Sequence, residues 1–238
     1  MDQAIGGLAA PLLDEIDREL GAGYSAVLYG SAARGEYLPG VSDLNLLLVC
    51  DSLRPEMLRR LSPSLESLRR RQQAPPLLLE RGEWSRAADV FPIEVTDMQH
   101  AHEMLRGADP VRELVVDPAD LRRALEQELR AKLLRLRQAF ALHSADERAL
   151  GELAARSVSS VAALFRAALA LFGKPVPRPT PDALRAAGTV VGVSTTQVVE
   201  LWQGRAARAP CRAEQFEGYL AAVASAVRVI DQFTGGGN

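Results

Sequence analysis

A glycine–serine turn is the first feature of this chain whose residue types and spacing suit chemistry. It lies in YGSAARGEYLPGVSDLNLLLV, residues 29–49, directly after the β-rich run YSAVLYG. Gly30 permits a close backbone approach that a side chain would block. Ser31 and the amides after it open a predicted helix, and a helix start attracts anions. Arg34 can add a charge-assisted hydrogen bond to such an anion. The turn therefore predicts an anion site.

Asp43 and Asn45 are the second feature. They lie two residues apart on the predicted strand SDLNLLLVC, residues 42–50, so both share one face of the strand with Leu47. Two carboxylates at this spacing can hold a pair of Mg²⁺ ions. Asn45 instead offers a neutral amide oxygen, which can ligate one Mg²⁺ but cannot bridge two ions. We therefore expect a metal site in which binding of a second ion is weakened.

The elements that must position these residues mix strands and helices in the first half of the chain. Helical spacing of apolar residues predicts helices over 10–20 and 54–73, with Pro63 expected to interrupt the second helix. β-rich or alternating segments predict strands within 24–30, 42–50, 75–80, 88–98 and 111–116. Residues 1–117 are therefore predicted to form a domain of strands and helices.

The second half is predicted to be all helical. Asp117 is a candidate N-cap and Pro118 takes the first helical position. The helix that follows carries one apolar stripe, formed by Leu121, Leu125, Leu129, Leu133, Leu136 and Phe140. A second long helix is expected over about 147–172, and further helical patterns continue to about 233. We predict an α+β protein with a helical domain over residues 118–238.

The segment 29–49 resembles the signature of the DNA polymerase β-like nucleotidyltransferase superfamily, in which Gly-Ser is followed by Asp-x-Asp on a strand. The Ala-Arg-Gly after Gly-Ser is similar to that of minimal nucleotidyltransferases and aminoglycoside adenylyltransferases. The resemblance covers about residues 20–100 and extends loosely to the helical half. This chain departs from the signature at Asn45, where the family carries its second aspartate.

The resemblance implies a catalytic set and its ligands. FPIEVTDM, residues 91–98, is similar to the segment that carries the family's third carboxylate, which makes Glu94 the match. Asp43 and Glu94 would be metal ligands, Asn45 a weak one, and Glu94 alternatively a general base. Gly30, Ser31 and Arg34 would hold the phosphates of a nucleoside triphosphate. Mg²⁺ is the implied cofactor, as one ion or two.

These residues lead to two hypotheses from different classes. The first is a nucleotidyltransferase that moves a nucleoside monophosphate from a Mg²⁺-bound triphosphate to a small-molecule or protein hydroxyl, with activity weakened by Asn45. The second is a pseudoenzyme that binds a nucleotide or only a protein partner, as a sensor, scaffold or antitoxin-like module. Arg137 and His143 are spaced like a ribonuclease motif of helical toxin domains, but an exposed helix face explains the same spacing.

Charge and composition restrict the partners. The net charge is −2, with 19 acids and 12 arginines in residues 1–118 and 11 acids and 16 basic residues in 119–238. The basic half suits an anionic nucleotide better than a cationic aminoglycoside, because Asp146–Glu147 is its one acidic cluster in sequence. The aromatic residues are not interleaved with basic ones, so we expect no nucleic-acid partner.

Membrane and metal-cluster signals are weak as well. The longest apolar run, residues 161–173, is interrupted by Arg166 and is too short for a bilayer. No basic region followed by an apolar one opens the sequence, so we expect no signal peptide and a cytoplasmic location. His100 and His102 would diverge on a predicted helix, so they are not expected to bind a metal together.

Overall fold

The computed structural model describes residues 3–21 and 23–234, which form ten helices and four strands. In chain order these are α1 (Gln3–Leu20), β1 (Tyr24–Tyr29), α2 (Ser31–Arg34), β2 (Asn45–Cys50), α3 (Pro55–Arg70), β3 (Leu77–Glu80), α4 (Arg81–Trp84), α5 (Pro92–His100), β4 (His102–Arg106), α6 (Pro118–His143), α7 (Glu147–Leu171), α8 (Thr180–Val191), α9 (Thr196–Gly204) and α10 (Ala213–Asp231). The predicted α+β class is confirmed.

The four strands form one mixed sheet in the order β3-β2-β1-β4. The central strand β1 is antiparallel to both β2 and β4, whereas β2 and β3 are parallel. Tyr29, the last residue of β1, lies opposite Asn45 on β2 and opposite His102 on β4. Because directly opposed residues of antiparallel strands share a face, these three residues form one row across the end of the sheet.

Every second side chain of β1 and β2 points to the same face of the sheet and contributes to the core of this part of the chain. Leu28 and Leu46 lie on the same face and are buried with Leu12 and Ile16 of α1 and Leu61 of α3. The helical spacing of the α1 and α3 residues places them on one side of each helix. Burial of these faces holds the two helices against the sheet, which leaves the sheet end with Asn45 to be shaped by loops.

The helical half has its own core. Asp117 caps α6, since its carboxylate accepts a hydrogen bond from the Ala119 amide at 2.7 Å. The predicted leucine stripe of α6 is buried from Leu121 to Leu136 and packs with α7 and α10. By length and composition alone α7 could cross a membrane, but 56% of its most apolar window is buried inside the fold. A core helix has this same pattern.

The chain divides into two compact units. One comprises the described residues up to Phe91 together with 98–115, and the other comprises 92–97 and the described residues from 116 onward. The amino-terminal part of α5, residues 92–97, therefore belongs to the helical unit. The sequence-based prediction placed all of residues 1–117 in the sheet domain. The physical cause is local, because Ile93 packs against the helical core.

Three predicted features are wrong. Residues 88–98 hold the start of α5 instead of a strand, because Pro92 opens a helix and Val95 and Met98 bury one helical face. Residues 111–116 form a turn and an extended loop, and the strand near them is β4. Pro63 does not interrupt α3, because it lies on the exposed side while Leu61 and Leu68 are buried.

Candidate functional site

Gly30 makes the turn at the end of β1 in a conformation that only glycine adopts readily. Its φ of 73° and ψ of −146° lie in a region closed to residues with a side chain. A Cβ atom at this position would lie 2.5 Å from Nδ2 of Asn45. The close approach that requires glycine here is therefore to the Asn45 amide, a contact that sequence spacing did not reveal.

The helix after this turn is a single turn long. α2 begins at Ser31 and ends at Arg34, and Gly35 follows in the left-handed conformation with φ of 78°. Such a short helix has little dipole, so any attraction for an anion would come from individual amides. The Arg34 guanidinium lies 3.3 Å from the Glu36 carboxylate, and the side chains are 9% and 14% exposed. Arg34 is thus already paired with an acid.

Asp43 and Asn45 flank a buried leucine. Asp43 is exposed, Leu44 is buried in the core, and Asn45 is half-buried. β2 begins at Asn45, so Asp43 lies one residue before Leu44 in the loop and not within the strand as predicted. The alternation of exposure directs Asp43 and Asn45 away from the core that holds Leu44.

Tyr37 lies near Asp43. Burial raises the pKa of the Tyr37 phenol, and the negative charge of Asp43 raises it further. The loop between them is closed by Ser42, whose hydroxyl accepts a hydrogen bond from the Leu38 amide at 3.2 Å. These contacts hold Asp43 on a short, ordered loop.

His102 occupies the β4 end of the row that contains Asn45. Its Nδ1 lies 2.7 Å from the Met98 carbonyl and its Nε2 lies 3.0 Å from the Asp109 carboxylate. Both partners can accept a hydrogen bond, and together they fix the orientation of the ring. Burial opposes ionisation of Asp109, but hydrogen bonds from the Val111 amide and His102 lower its pKa below the ordinary value.

The sequence predicts His102 on a helix with His100 and therefore does not indicate its place beside Asn45. The two residues lie in different elements, at the end of α5 and the start of β4. The available signal was the β-compatible segment HEMLR after a helix with a proline start. Within the described ranges, no group of three or more His, Cys, Asp or Glu side chains is arranged to hold a metal.

Glu94 lies on α5, in the helical unit, and not on a strand of the sheet domain as predicted. Its side chain is exposed to solvent. Desolvation by the surrounding protein raises its pKa, and the negative charges of Glu128 and Asp97 raise it further. This acidic group in the helical unit was invisible in the sequence, because residues 94 and 128 are far apart in the chain.

Asp97, one turn after Glu94, ties α5 to the helical core. Its carboxylate lies 3.3 Å from Nε of Arg166 on α7, and the two side chains are 11% and 2% exposed. Arg166 also donates from Nη1 to the Pro177 carbonyl at 2.7 Å. The arginine that interrupts the longest apolar run is thus a buried anchor for the segment that carries Glu94.

The remaining residues that the sequence singled out divide into an exposed pair on α6 and the site candidates themselves. Arg137 and His143 lie exposed on α6, as expected of a solvated helix face. Gly30, Ser31, Arg34, Asp43 and Asn45 lie together in the first unit, and Glu94 lies in the second.

The donor set at Asp43 and Asn45 fits one Mg²⁺ ion better than two. Mg²⁺ is commonly held by one or two protein oxygens together with water and substrate phosphates. One carboxylate and one amide oxygen match that pattern, and a resident pair of ions would need more negative charge. The residues therefore suit a cation that arrives with a polyphosphate.

Comparisons with known proteins are consistent with this geometry. The model of a nucleotidyltransferase domain matches residues 11–103. A comparison with curated proteins gave no significant match. Among solved structures, the chain is similar to spectinomycin adenyltransferase AAD(9) from Enterococcus faecialis, whose structure was determined with ATP and spectinomycin. The TM-score is 0.56 at 12% identity, with 95% of this chain and 99% of that chain covered. At this identity the similarity is one of fold.

Proposed function

We propose that the protein transfers a nucleoside monophosphate, from the premise that residues 11–103 match the model of a nucleotidyltransferase domain. The donor is a Mg²⁺-bound nucleoside triphosphate, and the acceptor is a hydroxyl group of a small molecule or a protein. The observation that carries the proposal is the exposed Asp43 carboxylate, which precedes a leucine buried in the core and lies two residues before Asn45, whose side-chain amide lies against the Gly30 turn.

Each candidate site residue of the first unit has a role in this proposal. Ser31 and the neighbouring amides orient the phosphates, and the buried Arg34–Glu36 pair keeps the turn in place. Asp43 holds the divalent cation with help from the Asn45 amide. When bound, Mg²⁺ neutralises phosphate charge at the reacting phosphorus. Asn45 supplies no charge, so we expect weaker binding of a second ion and slower transfer than with a full carboxylate set.

Glu94 is proposed as the general base for the acceptor hydroxyl. A base must be partly deprotonated at the working pH and still bind a proton, and a raised pKa brings a carboxylate closer to that condition. Desolvation together with Glu128 and Asp97 raises the pKa of Glu94. This direction supports the role of base over that of a metal ligand.

The acceptor is proposed on two grounds. The AAD(9) structure contains ATP and spectinomycin, which supports a triphosphate and a small-molecule acceptor here. Glu94, Asp97 and Glu128 form an acidic group that is exposed or half-buried. Their negative charge would attract a positively charged acceptor, although the net positive charge of the helical half suits an anionic nucleotide better than a cationic aminoglycoside.

A direct assay tests the transfer. The protein is incubated with labelled ATP, GTP, CTP or UTP, with Mg²⁺ or Mn²⁺, and with candidate acceptors, and labelled product is measured. The control is Asp43→Ala, matched by Asp51→Ala at the other end of β2, where Asp51 is exposed and paired with Arg81. We expect transfer that Asp43→Ala abolishes and Asp51→Ala retains. Absence of transfer above the Asp43→Ala level under all conditions would remove the enzymatic proposal.

Asn45 also favours a second candidate, a pseudoenzyme that binds a nucleotide or a protein without transfer. The discriminating measurement is calorimetry with a non-hydrolysable triphosphate, with and without Mg²⁺. Binding that is independent of Mg²⁺ would favour a nucleotide sensor. Absence of binding would favour a protein-interaction module.

A further inference from the structure

The backbone amide of Leu44 lies beyond the reach of both neighbouring strands. The β1–β2 pairing ends where Tyr29 lies opposite Asn45, and the β2–β3 pairing begins where Leu47 lies opposite Leu77. β1 cannot extend the ladder, because Gly30 turns the chain away with a positive φ. The residue between Asp43 and Asn45 must therefore be held by something other than the sheet.

The Gln73 side chain supplies that partner. Its Oε1 accepts a hydrogen bond from the Leu44 amide at 2.7 Å, across 29 positions of sequence. Both residues are buried, with 8% of Gln73 and 2% of Leu44 exposed. A buried amide without a partner costs free energy. The Gln73 side chain therefore replaces the hydrogen bond that a neighbouring strand would otherwise accept from the Leu44 amide.

Gln73 is itself held firmly. Its backbone amide donates to the Leu68 carbonyl at 3.0 Å, which closes the end of α3. Gln72 before it takes a positive φ of 57°, a conformation that turns the chain back toward β2. The amide nitrogen of the Gln73 side chain faces the Arg71 carbonyl at 3.4 Å. The acceptor oxygen is thereby fixed toward Leu44.

Two constraints then fix the orientation of the segment that carries Asp43. The Leu44 side chain is anchored in the apolar core, and its amide is anchored by Gln73. Asn45 has a further constraint, since it pairs with Tyr29 in the ladder. Asp43 has none of its own in the sheet, so its carboxylate is restrained through its two chain neighbours. Ser42 is held by hydrogen bonds with Leu38 on one side, and the Leu44 amide donates to Gln73 on the other.

We infer that Gln73 is a positioning residue that presents Asp43, and with it Asn45, to a metal-bound nucleotide. This inference rests on the proposed function for its ligand. Gln73 is buried behind Leu44 and need not touch the nucleotide. Its contribution is to limit the conformations of residues 43–45 before binding, which lowers the entropic cost of forming the metal contact.

The test compares wild type with Gln73→Met, which removes the acceptor with little change in volume, and with the milder Gln73→Asn, whose amide is one methylene shorter. Ser225→Ala is the control, because it removes another buried hydrogen bond, from Ser225 to the Val191 carbonyl at 2.6 Å, in the other unit. Two quantities are measured. One is hydrogen exchange of the Leu44 amide, and the other is the affinity for a non-hydrolysable ATP analogue with and without Mg²⁺.

We expect Gln73→Met to speed exchange of the Leu44 amide by about tenfold, as expected for loss of one buried hydrogen bond, while exchange at Leu47 and Val49 is unchanged. The Mg²⁺-dependent gain in affinity should fall by about the same factor, and metal-free affinity should stay constant. Gln73→Asn should show both effects in the same direction. Ser225→Ala should show neither, even if it lowers the melting temperature equally.

Three results would overturn the inference. Exchange at Leu44 that is unchanged in both Gln73 variants would show that Gln73 does not hold this amide. A Mg²⁺-dependent gain equal to that of wild type would remove the positioning role. The same loss in Ser225→Ala would assign the effect to general destabilisation. If wild-type protein shows no Mg²⁺-dependent gain, the proposed function fails, and the exchange measurement still decides separately whether Gln73 holds Leu44.

Discussion

Asn45 is the residue at which this site departs from a two-carboxylate metal centre. Its amide lies against Gly30, close enough that a Cβ on Gly30 would approach Nδ2 to 2.5 Å. A neutral amide can rest against a backbone turn without charge repulsion from Asp43, whereas a carboxylate there would add a second negative charge. On the proposed function, Asn45 should therefore stabilise the metal-free fold and lower the affinity for Mg²⁺.

Restoring the carboxylate tests that balance. Asn45→Asp should raise affinity for Mg²⁺ and speed any transfer, where each tenfold corresponds to about 1.4 kcal/mol. Without metal the variant should unfold at a lower temperature, because two adjacent carboxylates repel. Millimolar Mg²⁺ should recover that loss, since a ligand of the folded state raises its stability. Thermal melts with and without Mg²⁺ measure this, and a variant indifferent to Mg²⁺ would contradict metal binding at residues 43 and 45.

Replacement of Glu94 by glutamine should raise the stability of the protein and lower its activity. Its pKa in the folded protein is raised above 4.5, so the folded state binds its proton more tightly than the unfolded state, and stability falls as pH rises through that range. Glu94→Gln should therefore raise the melting temperature at neutral pH and leave it unchanged well below pH 4.5. Because the variant lacks the proposed general base, its kcat should be lower than that of wild type by about a hundredfold or more.

The control for this prediction is Glu152→Gln, an exposed glutamate of the same unit on α7. It should leave kcat unchanged. A Glu94→Gln variant with wild-type kcat would exclude Glu94 as the base, and a gain in stability of equal size at both pH values would exclude ionisation as its cause.

At the scale of elements, the β1–α2 turn depends on one glycine. Gly30→Ala would place a side chain in a backbone region that costs about 1–3 kcal/mol and would displace the Asn45 amide. We expect a loss of stability of that size and weaker nucleotide binding. Gly7→Ala is the matched control, because Gly7 is an exposed helical residue of α1 with no atom within 4 Å of a new Cβ. It should instead stabilise by about 0.5–1 kcal/mol. Denaturant unfolding measures both, and a stable, binding-competent Gly30→Ala would contradict the turn geometry.

The attachment of α5 to α7 depends on a buried ion pair. Arg166→Met removes the guanidinium that faces the Asp97 carboxylate, which is 11% exposed, and should destabilise by about 3 kcal/mol or more. Arg156→Met on the same helix removes a 69% exposed arginine and should cost less than about 1 kcal/mol. Urea unfolding of both variants and of Asp97→Asn gives the comparison. Equal costs for Arg166→Met and Arg156→Met would show that the buried pair contributes little.

At the scale of the whole molecule, the chain does not divide into two consecutive domains. Residues 92–97 belong to the helical unit, and the chain returns to the first unit over 98–115 before it enters α6. A fragment of residues 118–238 therefore contains the apolar helical core but lacks Asp97. In that fragment Arg166 keeps the Pro177 and Arg178 carbonyls as acceptors and loses the Asp97 carboxylate.

This division predicts that Arg166→Met lowers the free energy of unfolding by different amounts in the fragment and in the full chain. Arg166→Met should destabilise the fragment 118–238 by at least about 1 kcal/mol less than it destabilises the full chain, because the fragment lacks the Asp97 carboxylate that faces Arg166 and removing one partner of a buried pair is most costly when the other partner is present. The measurement is urea unfolding of wild type and variant in both contexts, followed by helical circular dichroism. Identical costs in fragment and full chain would mean that Asp97 and Arg166 are not energetically coupled.

The sequence by itself determined the features that depend on short-range pattern. Alternation placed Leu44 and Leu46 in the core and Asp43 and Asn45 away from it, and periodicity of 3.6 gave the leucine stripe of α6. Asp117 and Pro118 fixed the start of that helix, because capping is local. The Gly-Ser turn with Asp-x-Asn likewise needed only adjacent residues, and its resemblance to nucleotidyltransferases agrees with the domain match over residues 11–103.

Only the tertiary structure decided what depends on long-range contacts. An isolated Ile-Glu-Val-Thr fits a strand or a helix, and burial of Val95 and Met98 selected the helix for Glu94. The β4 pairing that aligns His102 with Tyr29 and Asn45 depends on residues far apart in sequence, as does the hydrogen bond that the Leu44 amide donates to the Gln73 side chain. Side-chain chemistry is encoded locally, but the partners that orient it are chosen by the packing of the whole chain, which no short window of sequence contains.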